Sequence, residues 1–497
     1  MNKRVFGGLI CAIIMTLGLA YAEPVVETLD NGCRVIVEED HSRPVAALRV
    51  YVGVGSALEG QWLGAGVTHF VEHTIDEGTP TRTSEDVDRL VESMGNNSNA
   101  YTTRDHTCYY ITTIGGMIGE AIDLYADFVL DATFPAEEVE TQRGIIRREM
   151  AMGDDEPGRI IYAMFAETMF LRHPHRYRII GYPEAFNAVT RDELARFHRL
   201  WYVPDNIVVV VVGDVDGKSV LKQLRERFGA APRRAAPAAE MQSEPEQIAP
   251  RRRVRVKEGL GRAYLQMGWR TVSIFHEDLY PLDVLAYYLT AGDSSPVVAR
   301  LRDELGLVDG VSCHSITPWY EAGHFMFSAT LAPENLDAAE AEILAEVQRV
   351  AKHPPSREDL ARVQLQRAAA EVYGQESAED RAASLGSNLI TTGDAFFSER
   401  YLEGIAQVTP AQIKRVIGKY FRPERLSVAI LSPTRLRGPR DDGGGRGGQA
   451  ATVVRKLDNG LTVLVRESHA LPLVSISTAT LGGLRYETPE DAGLTSL

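Results

Sequence analysis

Cysteine is scarce, with four in 497 residues and no Cys-x-x-Cys pair. That excludes a disulfide-stapled scaffold, and since Cys11 falls in the N-terminal segment, Cys33, Cys108 and Cys313 read as buried structural thiols. Positive charge is also in deficit. Fifty-three Lys and Arg stand against 68 Asp and Glu, a net −15, which argues against a nucleic-acid partner. Beyond residue 22 no uncharged apolar run reaches the roughly 18 residues that a membrane span needs, so no stable membrane insertion is expected once that segment is removed. What is present is 44% hydrophobic residues, ample for large cores, in a length that holds about three domains as a soft prior.

The first 22 residues stand apart from the fold. Lys3 and Arg4 precede an apolar run from Val5 to Leu19, broken by Gly7, Gly8 and Gly18, and Ala20-Tyr21-Ala22 places small residues at a cleavage position. This reads as a secretory signal peptide over residues 1–22, with export across the inner membrane and a bacterial periplasmic location. The competing reading is a retained anchor. The glycines and the Ala-x-Ala ending favour cleavage.

Residues 23–229 read as a mixed α and β unit. Strands are expected at 33–37, 45–55, 97–104, 107–113 and 207–212, and helices at 65–75, 83–94, 117–130 and 136–152, the second opened by the capping box Thr83-Ser84-Glu85-Asp86 and stopped at Gly95. An Ala-, Pro-, Glu- and Arg-rich linker covers 230–253. A second mixed unit follows over 254–435, then a glycine-rich tether over 436–450. Beyond it Val453-Val454-Arg455-Lys456-Leu457-Asp458-Asn459-Gly460 repeats Val25-Val26-Glu27-Thr28-Leu29-Asp30-Asn31-Gly32, so 451–497 reads as the start of a tandem copy that is truncated at Leu497.

The chemistry concentrates in His69-Phe70-Val71-Glu72-His73. Residues i and i+4 of a helix stack on one face, so the two imidazoles are spaced to chelate one ion, and Glu72 shares that face. Two imidazoles and one further ligand make a three-ligand zinc site with an open position, beside which a carboxylate that is not a ligand can take a proton from water. Surface histidines on an amphipathic helix are the bland alternative. It leaves unexplained why they sit beside Val67, Phe70 and Val71, in a segment apolar enough to be at least half buried. A third ligand should come from another helix, and Glu149 lies on one stripe with Ile145 and Ile146. An acid there needs a counter-charge, which a metal or an ordinary salt bridge would equally supply.

Here the chain resembles the pitrilysin/insulinase family of zinc metallopeptidases. The resemblance rests on His69-x-x-Glu72-His73, on the acid 76 positions after the second histidine, on Asn99-Ala100-Tyr101-Thr102 with Tyr109-Tyr110, and on Arg300-Leu301-Arg302-Asp303-Glu304-Leu305-Gly306-Leu307 in the second unit. It implies an α+β fold of two similar domains, each a mainly antiparallel sheet packed with helices, plus a partial third repeat. It also implies His69, His73 and Glu149 as ligands of one Zn2+, Glu72 as general base, and Asn99, Ala100 and Tyr101 on an edge strand that pairs with an extended peptide. The expected function is zinc-dependent endopeptidase action on peptides or unfolded segments, with an Arg/Tyr pair supplied by a second family half. The competing class is a non-catalytic structural or assembly subunit, or a half-enzyme inactive without its partner half. Two departures stand out: Gln142 replaces an additional acid one helical register before the third ligand, and Asp76-Glu77 replaces apolar residues before Gly78-Thr79. In the copy, Ser496 stands where the first histidine would be, so the copy reads as the start of a non-catalytic half.

Overall fold

The computed structural model describes residues 23–321, 323–434 and 453–465. Residues 1–22, read above as a signal peptide, 436–450, read as a tether, and 466–497 of the expected copy lie outside the described residues. Residues 23–434 carry two sheets. The first is built from β1 (Val25–Thr28), β2 (Arg34–Glu39), β3 (Val45–Val52), β4 (Ser98–Thr102), β5 (Thr107–Ile114) and β6 (Ile207–Gly213), in the order β1-β2-β6-β3-β5-β4. Its neighbours are antiparallel except β2 and β6. The second contains β7 (Arg251–Val256), β8 (Ala263–Arg270), β9 (Gly310–Ile316), β10 (His324–Leu331) and β11 (Ser427–Ser432), in the order β7-β11-β8-β10-β9. Here too a single pair, β7 and β11, is parallel. Without β1, the first sheet has the topology of the second, so the chain is α+β with two similar domains. β7 begins at Arg251, inside the segment that composition marks as linker.

Alternation along the strands shows why each sheet is covered on both faces. In the first, Val35, Val37, Leu48, Val50, Val209 and Val211 join one core with helices Ile118–Asp131, Arg191–Trp201 and Gly217–Arg227. Ile36, Ala47, Tyr51, Val208, Val210 and Val212 point the other way, onto Ala378, Ala382, Leu385 and Leu389 of the helix Ala378–Thr392. That helix comes from the second half of the sequence. Conversely, the helix Pro157–Met169 from the first half lays Ile160, Ile161, Met164 and Phe165 on Met326, Ala429 and Leu431 of the second sheet. Each half thus lends one helix to the other half's sheet. The close approach needs small residues: a Cβ built on Gly386 would lie 2.2 Å from the Tyr51 ring.

Capping boxes start several helices, including Thr83 with Asp86 ahead of Ser84–Ser93 and Thr190 with Glu193 ahead of Arg191–Trp201. Cys33, Cys108 and Cys313 are free and buried, and burial pushes their thiols up to about 12, 11 and 12. Among the described residues no helix is long and apolar enough to cross a membrane.

Residues 453–465 form a separate hairpin of β12 (Val453–Lys456) and β13 (Thr462–Val465). Its internal geometry reproduces that of β1 and β2. Val453 pairs with Val465 as Val25 does with Val37, and Leu457 N–H donates to the carbonyl of Leu461 as Leu29 N–H does to that of Cys33, both at 2.8 Å. The turn glycines Gly32 and Gly460 both take positive φ, 97° and 90°, which a side chain would strain.

Candidate active site

The helix Val67–Thr74 is short and pinned from below by Val67, Phe70 and Val71, all fully buried. Its start is set by Gly66, at φ 67°, where a Cβ would lie 2.2 Å from the Ile180 carbonyl oxygen. Only glycine lets the 176–180 loop press against this helix end. With the apolar side fixed inward, His69 and His73 emerge together, their ring centroids 4.6 Å apart.

The long helix Ala136–Asp155 brings Glu149 to them. Glu149 Oε2 lies 3.6 Å from His69 Nε2 and 3.7 Å from His73 Nε2, and one ligand atom from each of the three residues falls within 4.8 Å of the others. Donors held about 2.1 Å from a tetrahedral ion lie roughly 3.4 Å apart, so the set fits zinc with little movement. The other oxygen, Oε1, is 3.5 Å from Arg159 Nη1. Of the two partners left open for Glu149 on spacing alone, a metal and an ordinary basic residue, the second is present on Oε1, while Oε2 faces both imidazoles.

Burial, with smaller contributions from His73 and Arg159, pushes His69 down to about 3, so its imidazole is neutral as a metal ligand must be. Its Nδ1 is buried without a hydrogen-bond partner. His73 Nδ1 instead faces Gln142 Oε1 at 3.3 Å, and Gln142 Nε2 donates to Glu77. The two departures from the family pattern are therefore in contact: the carboxylate missing at 142 is replaced by a neutral amide backed by the carboxylate at 77.

Glu72 stands outside the three-ligand group. Burial raises its carboxyl to about 7, assisted by the charges of Glu149 and Asp76 and opposed by the hydroxyl of Thr102, which donates to Glu72 Oε2. Thr102 ends β4, the outermost strand of its sheet, so the edge strand and Glu72 are tied directly. Ala100 and Tyr101 of that strand line a cavity of about 380 Å³ together with His69, Glu72 and Glu149. Asn99 is not in that lining. Its Oδ1 accepts from the Ala100 N–H at 2.8 Å.

The family model for insulinase, peptidase family M16, matches residues 34–182, and that for the peptidase M16 inactive domain matches residues 188–367. An uncharacterized zinc protease of Mycobacterium tuberculosis is 30% identical over 408 residues, which span 82% of this chain and 92% of that protein. The chain belongs to the insulinase family, peptidase family M16.

Among solved structures, a protease from Helicobacter pylori matches with a TM-score of 0.77 at 25% identity, over 83% of this chain and 100% of that one. The periplasmic protease PqqL from Escherichia coli shares the fold with a TM-score of 0.68 at 20% identity, over 84% of this chain and 48% of that one. Within the M16 fold, several residues around the site carry no motif and escape sequence reading. Thr102 is recognisable only once β4 is known to end at Glu72. Arg104, Arg159, Arg176 and Arg178 share a cavity only because the helix Pro157–Met169 and the loop after it fold back over the site.

Proposed function

We propose that this chain is a zinc-dependent endopeptidase for peptides or unfolded polypeptide segments. His69, His73 and Glu149 would hold one Zn2+, and Glu72 would serve as general base. The observation that carries this reading is the convergence of two imidazoles and one carboxylate within 4.8 Å, beside Glu72 and the edge strand β4, with His69, Glu72, Thr102 and Glu149 lining one cavity. Bound there, zinc would supply an acidified water and an electrophilic partner for the scissile carbonyl. Glu72, raised toward neutrality, accepts a proton and returns it to the leaving amine. Thr102 holds the Glu72 carboxylate toward β4. Residues Asn99, Ala100 and Tyr101 offer main-chain groups to an extended substrate as an added strand, with Asn99 swinging its amide off the Ala100 N–H.

The reading includes export through residues 1–22. It also includes a second half that begins near the 453–465 hairpin, supported by the hairpin's identity in geometry with β1 and β2. The full chain, stripped by a chelator and then reloaded, is expected to bind one zinc per chain and to cleave an unstructured peptide only when loaded. A wild-type chain that binds no zinc, or that cleaves equally with and without it, would end the proposal. A further expectation concerns Gln142: Gln142→Leu removes the acceptor that orients His73 and should weaken zinc binding about 10–100-fold, measured by competition with a chromophoric chelator. Unchanged affinity would show that His73 needs no such support.

A further inference from the structure

In a chain of net charge −15, the cavity beside the candidate zinc site is lined by four arginines, Arg104, Arg159, Arg176 and Arg178, against two carboxylates, Glu72 and Glu149. Two of the four are matched locally. Arg159 Nε lies 2.8 Å from Glu156, with its Nη1 toward Glu149, and Arg178 Nη1 lies 2.7 Å from Asp154. The other two are not. Arg104 donates from Nε to the His175 carbonyl at 3.2 Å and from Nη1 to the Tyr162 hydroxyl at 3.3 Å, while Arg176 donates from Nη1 to the Leu171 carbonyl. Both are half-buried, and among the described residues they bond only neutral groups.

Each guanidinium is also held over a ring, Arg104 over Tyr162 at 5.3 Å and Arg176 over Tyr177 at 5.5 Å. Their heads are therefore positioned while donors remain free. Partly desolvated cations without counter-ions are costly, and a planar fork is matched best by a carboxylate. Arg104 lies two residues beyond the end of β4, the edge where the substrate backbone would run. Its neighbour across the bond is His175, adjacent to Arg176, so the two charges sit along one wall of the substrate channel.

We infer that this wall selects peptides carrying a carboxylate close to the scissile bond, with Arg104 and Arg176 as its counter-ions. The inference rests on the peptidase reading for the identity of the ligand. The carboxylate could be an acidic side chain or the C-terminus of a short peptide, and the test separates them.

Fluorescence anisotropy with the full-length zinc-loaded Glu72→Gln protein, which should bind without turnover, would compare labelled unstructured peptides differing only in Glu, Gln or Lys at one position. Each would be made with a free and an amidated C-terminus. The Glu peptide is expected to bind about tenfold tighter than the Gln peptide, with the difference shrinking as salt is raised. If only amidation weakens binding, the recognised carboxylate is the chain terminus, which also supports the wall. In Arg104→Gln/Arg176→Gln the discrimination should vanish, with zinc content and circular dichroism unchanged. Should the double variant not fold, Arg176→Gln alone should reduce the preference. Equal binding of all peptides, or preference for Lys, would overturn the inference. Wild-type cleavage run in parallel keeps the two readings apart. Cleavage without acid preference sinks the arginine wall alone, whereas acid preference without cleavage sinks the peptidase reading alone.

Discussion

Glu72→Gln is expected to lower peptide hydrolysis by about a hundred- to ten-thousandfold while leaving zinc content at the wild-type level. The substitution keeps shape and the hydrogen bond from Thr102 but removes a proton acceptor. Zinc should stay because Glu72 lies outside the cluster formed by His69, His73 and Glu149. The size of the effect follows from how well the carboxyl is tuned. Burial and the negative charges of Glu149 and Asp76 bring it up to about 7, where it is basic enough to take a proton and acidic enough to give one back. Metal analysis and single-turnover peptide cleavage on the same preparation would check this. Loss of zinc together with activity would assign Glu72 a ligand or structural role, and full activity in the variant would remove it from the chemistry.

Arg381→Ala should destabilise the chain by about 3–5 kcal/mol, the cost of stripping the partner from a buried charge. Glu38 lies on β2 and is fully buried, and Arg381 Nε reaches its two carboxylate oxygens at 3.2 and 3.0 Å. Arg381 sits on Ala378–Thr392, the helix that the second half lends to the first sheet, so this pair fastens the two halves together. Burial already raises the Glu38 carboxyl above its ordinary value, and Arg381 is the main group that holds it down. Removing Arg381 lets it rise further.

A folded value above the unfolded one means that the native state binds the extra proton. The deficit should therefore be smallest near the unfolded carboxyl value and should grow as pH rises through the raised folded one. Chemical denaturation of Arg381→Ala at two pH values would measure both effects. Adding Glu38→Gln should recover most of the loss at neutral pH, because the unpaired charge is then gone. A variant within about 0.5 kcal/mol of wild type would show that the lent helix is not fastened by this pair.

The same two sites show which features could be read in advance. The spacing of His69, Glu72 and His73 implies a shared helix face, and period-3.6 geometry leaves no other arrangement once the segment is helical. Thr83 and Asp86 announce the helix Ser84–Ser93 because a capping box satisfies its own backbone locally. Strands such as Ile207–Gly213 are visible because β-branched runs pack well on a pleated surface. The hairpin turn repeated at Gly32 and Gly460 is legible for the same reason, since its bonds close within a few residues.

The exchanged helices were not legible. The apolar spacing of Ala378, Ala382, Leu385 and Leu389 says that a face is buried but not against which sheet. Hydrophobic burial carries no address, and the first sheet is selected by specific contacts: Gly386 against Tyr51, Arg381 with Glu38, and Glu379 with Arg49 and Thr112. Gln142 could be noticed as a departure, yet its link from Glu77 to His73 exists only where two helices cross.

By itself the sequence determined the local elements, the pair of imidazoles with Glu72 on one helix face, and the tandem repeat of the first hairpin. All three depend on interactions that close within a few residues or on direct identity between segments. Only the tertiary structure decided that Glu149 meets those imidazoles while also touching Arg159, that each half of the chain covers the other's sheet, and that four arginines gather in one cavity of an acidic protein. Those outcomes join residues from separate elements, and their partners are chosen by shape, charge and packing across the fold, which spacing along the chain does not encode.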